Sequence, residues 1–451
     1  MDVHRLITRS ARSIASLAPT VTHLQAMEDV REDARRAIER GYYTPEEDDR
    51  LRAWFARYLT ARAGLLETID DLTPIAEGDI AGIDEGTQLR GFVIGYTAGC
   101  LLVRAARCFI EEFATHKLVQ RKLNEAEPGR RIPRKQYTMI YRSLTRPANA
   151  WRLAEAMRFA DDNRRAIDGL AGDEQVGAIV GFLNESEESL RVGVDRYLKA
   201  RLRYRWHSLR RRRASAVQQG LFRILEAFGR VIADVRNPWH ADRLTEPVRR
   251  RLAELLRPGD IIIARHDDAL SNLFLPGYWP HSALHVGLPS TRQAMPIVID
   301  EARAGRWIEP RRVLEARKDG VLFRPLEDTL AVDAITILRP DLGEPDIARA
   351  ISNAIAHEGK LYNFDFDFFT ADRLVCTEVI YRAYEGVGGI EFPLTRRAGW
   401  LTLSAEDIVD MALRERGFKP IALFGTPNIG ESLLTGADAA RALAESRQGS
   451  S

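Results

Sequence analysis

Cysteine is scarce in this chain: 451 residues carry three, Cys100, Cys108 and Cys376. A set that small and odd in number excludes a disulfide framework and points to a reducing compartment. No Cys-x-x-Cys pair occurs, which removes a thiolate zinc centre. An excess of one charge is missing too. Lys and Arg total 66 against 64 Asp and Glu, a formal net charge of +2. The chain as a whole is therefore not drawn to nucleic acid or to an anionic surface. No fixed-period repeat appears, so a solenoid is not expected. The N-terminal segment has no apolar run of the length a signal peptide needs. The most apolar stretch, residues 91–103, is bracketed by Arg90, Arg104 and Arg107 and reads as a buried helix rather than a membrane span. A cytoplasmic location is the expectation from these absences. What remains, 45% hydrophobic and 29% charged residues, is the balance of an ordinary globular protein.

Residues 1–240 read as an all-α domain of unknown role. Thr44-Pro45-Glu46-Glu47 is a helix start: Thr44 caps, Pro45 suits the first helical position and Glu47 closes a capping box. Leu51, Phe55, Tyr58, Leu59, Leu65, Leu66 and Ile69 follow at helical spacing. Further helices are expected over 89–123, 148–170 and 187–235. Cys100 and Cys108 fall in the 89–123 run and read as small core residues.

Composition changes near Asn237-Pro238-Trp239. A short helix is expected to about Leu256, then a buried strand at residues 260–264. Strands are also predicted at 281–288, 296–301, 321–323 and 334–338, and helices at 344–358, 376–385 and 404–416. This half, residues 241–428, reads as α+β with a mostly antiparallel sheet. Residues 429–451 are expected to be a flexible tail.

Cys376 opens the amphipathic run Cys376-Thr377-Glu378-Val379-Ile380-Tyr381. A thiol at a helix N-terminus meets free N–H groups and the positive dipole end, both of which favour the thiolate. His281 and His285 lie on a separate predicted strand. A thiol and an imidazole so placed are the parts of a cysteine nucleophile with a general base. Strand alternation puts His281, Ala283, His285 and Gly287 on one face, and Ile297, Ile299 and Glu301 on one face of the next strand. Glu301 would then accept the second ring N–H and fix the tautomer. Asp300 is the competing acid and His285 the competing base. The two imidazoles would sit roughly 13 Å apart on a strand, too far to share an ion. No metal and no cofactor are expected.

These residues resemble the permuted papain-like hydrolases of the NlpC superfamily, YiiX-like branch, in which the histidine strand precedes the cysteine helix. Pro258-Gly259-Asp260-Ile261-Ile262 looks like the opening strand, and Trp279-Pro280-His281-Ser282-Ala283-Leu284 like the histidine strand. Val298-Ile299-Asp300-Glu301-Ala302 looks like the strand bearing the third polar residue. Tyr362-Asn363-Phe364-Asp365-Phe366 with Cys376-Thr377-Glu378 looks like the tyrosine loop and cysteine helix. The resemblance covers about residues 250–425 and implies a circularly permuted papain-like fold. It implies Cys376 as nucleophile, His281 as base and Glu301 as orienter, with Tyr362 and Thr377 in the substrate and oxyanion region.

The implied activity is a cysteine hydrolase that cleaves an amide, in a peptide or an acylated small molecule, through a thioester. A lipid esterase or acyltransferase on the same fold is one alternative. A catalytically silent binding domain is another. A helix at 191–213 carries nine arginines and one lysine with an apolar stripe of Val194, Leu198, Leu202, Trp206 and Leu209. It reads either as a structural helix with a solvated face or as a membrane-surface helix; nucleic acid is not expected as a partner.

Overall fold

The computed structural model describes residues 2–77, 83–113, 116–127, 132–145, 147–187, 243–266, 278–364, 372–397 and 400–448. The predicted basic helix at 191–213, together with Asp365, lies outside them. The chain divides into two compact units, Met1–Asn237 and Pro238–Ser451.

The described part of the first unit is built from helices. Val3–Gln25, Pro45–Asp71 and Glu85–Phe113 pack on one another. Thr44 and Glu47 form the reciprocal cap that their spacing predicts, with the Thr44 N–H donating to Glu47 Oε2 at 2.9 Å. The apolar stripe of Pro45–Asp71 is an aromatic seam: Tyr58 stacks on Phe109 with ring centroids 4.9 Å apart. Such ring pairs add specific geometry to a large buried area. Glu85–Arg107 is the one stretch among the described residues long and apolar enough to cross a membrane, and it is mostly buried within its unit. Cys100 is fully buried there.

The second unit is α+β. Its main sheet has seven strands: β1 Ile261–Arg265, β2 His281–His285, β3 Arg311–Arg317, β4 Gly320–Pro325, β5 Ala334–Pro340, β10 Phe418–Phe424 and β11 Leu434–Thr435. The order is β11-β10-β5-β1-β2-β3-β4, and every pairing is antiparallel. Two small pairs complete the strands: β6 Leu361–Tyr362 parallel to β7 Arg373–Leu374, and β8 Thr395–Arg397 antiparallel to β9 Trp400–Thr402. Ile262, Ala264, Val313, Ile335, Ile337 and Phe424 pack with Leu252 and Leu256 in the core. Near-continuous apolar runs such as Ile261-Ile262-Ile263-Ala264 suit a strand buried on both faces.

The structure departs from the sequence reading at three places. Residues 296–301 are not a strand: Asp300 caps the short helix Glu301–Arg306 by accepting the Arg303 N–H at 2.9 Å. A short polar side chain before a helix satisfies one of its free donors, and that local bond outweighs the weak alternation of Ile297 and Ile299. Strands β3 and β6 through β11 are additional to those predicted. Residues 436–448 are a helix rather than a flexible tail, with Ala439 and Leu443 fully buried, and they pack on β10.

Candidate active site

Cys376 is the first residue of the helix Cys376–Tyr384, which packs on β2 and β3. The apolar residues Val379, Ile380 and Ala383 bury one face of that helix and so fix where its first turn points. Cys376 is itself buried. His281 opens β2. That strand pairs with β3 at Leu284 and His285 only, which leaves its first residues free to receive the sulfur.

The Cys376 thiol and the His281 imidazole are hydrogen bonded. The other side of the ring is taken by Glu315 of β3, whose Oε1 lies 2.6 Å from His281 Nε2. With Nε2 engaged, Nδ1 is the nitrogen left for the sulfur. Burial opposes a charged ring, but the sulfur and Glu315 outweigh it, and the His281 pKa is raised. Burial likewise works against the thiolate, but His281 and the main-chain N–H and hydroxyl of Ser282 lower the Cys376 pKa. Among the described residues the buried Ser282 hydroxyl makes no hydrogen bond. The two shifts have one cause: each group favours the charged form of the other.

Glu315 is wholly buried, and its charge is held from four sides. Besides His281, its Oε2 lies 2.9 Å from Arg317 Nε and 3.3 Å from Arg324 Nε, and accepts the Thr329 hydroxyl at 3.2 Å. Burial alone would push its pKa up; Arg317, His281 and Arg324 hold it far below the usual carboxylate range. A buried charge persists only when paired in this way.

The predicted orienter Glu301 is elsewhere. It sits exposed in the first turn of the helix that Asp300 caps, and the acid bonded to His281 is Glu315. His285 is not at the thiol either. It is buried, its Nδ1 lies 2.9 Å from the Arg257 carbonyl, and burial lowers its pKa. Tyr362 is buried on β6, and its pKa is raised by burial and then by the Cys376 charge. Thr377 follows Cys376 in the first helical turn and is buried. Glu378, also buried, donates its main-chain N–H to the Val375 carbonyl, and its carboxylate pairs with Arg382 at 3.0 Å. Burial dominates there and raises its pKa to about 7. Among the described residues no group of three His, Cys, Asp or Glu side chains is placed to hold a metal ion.

Glu315, Ser282, Arg317 and Arg324 escaped the sequence reading. The charges of Arg311-Arg312-Val313-Leu314-Glu315-Ala316-Arg317 hide the strand. Its clearest signal was the turn that follows. Arg317 pairs with Gly320 across a two-residue loop, Lys318-Asp319, and Gly320 has φ 101. A glycine at positive φ beside such a short loop is a turn signal that the sequence carries openly.

A helix-opening cysteine bonded to a strand histidine that a buried acid orients is the arrangement of papain-like hydrolases, here with the histidine earlier in the chain. Residues 255–429 match the family model described as permuted papain-like amidase enzyme, YaeF/YiiX, C92 family. The match covers most of the second unit and none of the first. No curated protein and no solved structure matches the chain significantly.

Proposed function

We propose that the second unit is a cysteine amidase with Cys376 as nucleophile, His281 as base and then acid, and Glu315 as orienter. The observation that carries this reading is the hydrogen-bonded chain from Cys376 through His281 to the buried, ionised Glu315. The Cys376 thiolate adds to the carbonyl carbon of an amide, forming a C–S bond and an oxyanion. The Cys376 N–H, one of the free donors of the helix start, is suited to receive that oxyanion. As the C–N bond breaks, His281 gives its proton to the departing amine. Water then loses a proton to His281 and attacks the thioester. The C–S bond breaks, and the acid product leaves the thiolate restored. Glu315 keeps the ring in the useful tautomer and stabilises its charged form without taking the proton.

The experiment is to trap the intermediate. Wild-type protein is mixed with peptide amides and with N-acyl amines, quenched in acid and weighed intact. An acyl adduct located on Cys376 is expected. Turnover that survives in Cys376→Ala would sink the assignment.

A further inference from the structure

We propose that Glu406 and Arg447 are positioning residues for His281, which makes the C-terminal helix Gly436–Gln448 a working part of the site. This rests on the catalytic reading of His281 given above. The segment just before His281 is tied down at three points. The Tyr278 carbonyl accepts Arg265 Nη1 at 3.2 Å, and the Tyr278 hydroxyl donates to the Gly425 carbonyl at 3.2 Å. The Trp279 N–H donates to Glu406 Oε1 at 2.8 Å. Pro280 has no N–H. The Trp279 N–H is therefore the last main-chain donor before His281, and the bond to a carboxylate is the strongest of the three by type.

Glu406 lies in the first turn of the helix Ala405–Leu413 and is almost fully buried. Its second oxygen is bound by Arg447 Nη1, while Arg447 Nη2 reaches Asp410 at 2.7 Å. A buried carboxylate stays charged and fixed only if its remaining lone pairs are met. Arg447, in the last helix of the chain, meets them. The path from Arg447 to Glu406 to Trp279 thus sets where β2 begins, and the imidazole is two residues further on. Trp279 is itself buried and packs edge-on against Tyr278 at 4.9 Å, so a shift at Glu406 is passed along a rigid segment.

The probe is iodoacetamide, and the readout is the pH profile of Cys376 alkylation in the full chain. For wild type we expect half-maximal alkylation well below the pH of an ordinary thiol. Arg447→Met keeps the apolar stem and removes the fork. It is expected to move the midpoint up by about one pH unit, and so to slow alkylation about tenfold on the acidic limb. Arg447→Lys should recover most of that loss. Glu406→Ala, which leaves Arg447 with Asp410, should shift the profile at least as far, and it tests the contact to Trp279 by itself. A purely structural role would lower the melting temperature of these variants and leave the profile where it was; that result overturns the proposal. An ordinary-thiol profile in the wild type would instead overturn the catalytic reading, and this inference with it.

Discussion

The two histidines of β2 stand four residues apart on one short strand, and they end in opposite chemical states. Both are largely withdrawn from water, so burial pushes both toward the neutral ring. At His281 a thiolate and a carboxylate reverse that push. At His285 the main partner is the Arg257 carbonyl, and the ring stays neutral as a structural donor. Burial alone does not decide a histidine's role; the charges that meet its two nitrogens do. The same holds for the acids: Glu301 is exposed at a helix start, whereas Glu315 is buried and bonded to the ring.

Removing the sulfur tests the comparison most severely. Cys376→Ala should abolish turnover of any amide substrate and the rapid alkylation, while Cys100→Ser keeps both. A serine at position 376 should be as inactive as alanine, because its hydroxyl is far less ionised. Next comes the pair of histidines. His281→Ala should cost roughly 100- to 10,000-fold in rate with a near-native melting profile, the usual contribution of a positioned base. His285→Ala should do the reverse. Activity should stay within a few-fold, while stability drops by about 1–3 kcal/mol, because the Arg257 carbonyl loses its buried partner. If denaturant curves and rates showed the opposite ranking, the roles assigned to the two rings would be exchanged.

A smaller effect is expected from the acids. Glu315→Gln should lower the rate roughly 10- to 100-fold, in the range of lost orienting groups, while Glu301→Gln leaves it unchanged. Equal rates in the two variants would remove Glu315 from the mechanism. The gentlest test is pH. The Cys376 pKa is lowered and the His281 pKa raised, so the ion pair forms as pH rises through the first value and is lost as it rises through the second. Alkylation should therefore begin at lower pH than for a free thiol, whose midpoint is about 8.5. Stability follows Glu315: its folded pKa is depressed, so its contribution is complete above the unfolded carboxyl pKa and fades as pH falls through the folded one. Between about pH 5 and pH 3, wild type should therefore lose more melting temperature than Glu315→Gln; an equal loss in the two proteins would contradict that sign.

Much of the site was legible because it rests on local chemistry. A thiol ahead of an amphipathic helix, and an imidazole after Trp279-Pro280, are visible without tertiary information. The third residue was not, because it depends on which strand lies next to β2. The Asp300-Glu301 segment looked like that strand, but its local capping bond turns it into a helix start. The true neighbour, β3, is rich in arginine, and two of its own or adjoining charges, Arg317 and Arg324, are there to hold Glu315. Pairing of charges across strands erases the apolar alternation by which strands are recognised. The C-terminal helix was missed for a related reason. Its small residues Ala439 and Ala442 carry little apolar signal, yet they allow close packing on β10.

Gly259 carries a last consequence. Its φ of 91 suits glycine, and an added Cβ would lie 2.7 Å from Ile347 Cγ2 and 3.2 Å from the Tyr384 hydroxyl. Its N–H donates to the His285 carbonyl, and its own carbonyl accepts the Tyr384 hydroxyl from the far end of the cysteine helix. Asp260 beside it binds the Arg257 N–H at 2.7 Å and Arg339 at 2.7 Å. The Pro258-Gly259-Asp260 signature is thus architecture: it fastens helix to sheet and touches no reacting atom. A descendant of this gene that lost its sulfur could keep the signature intact under selection for folding alone. Membership of the lineage and possession of the chemistry are inherited through different residues, and a survey for working enzymes should be keyed to Cys376, His281 and Glu315 instead.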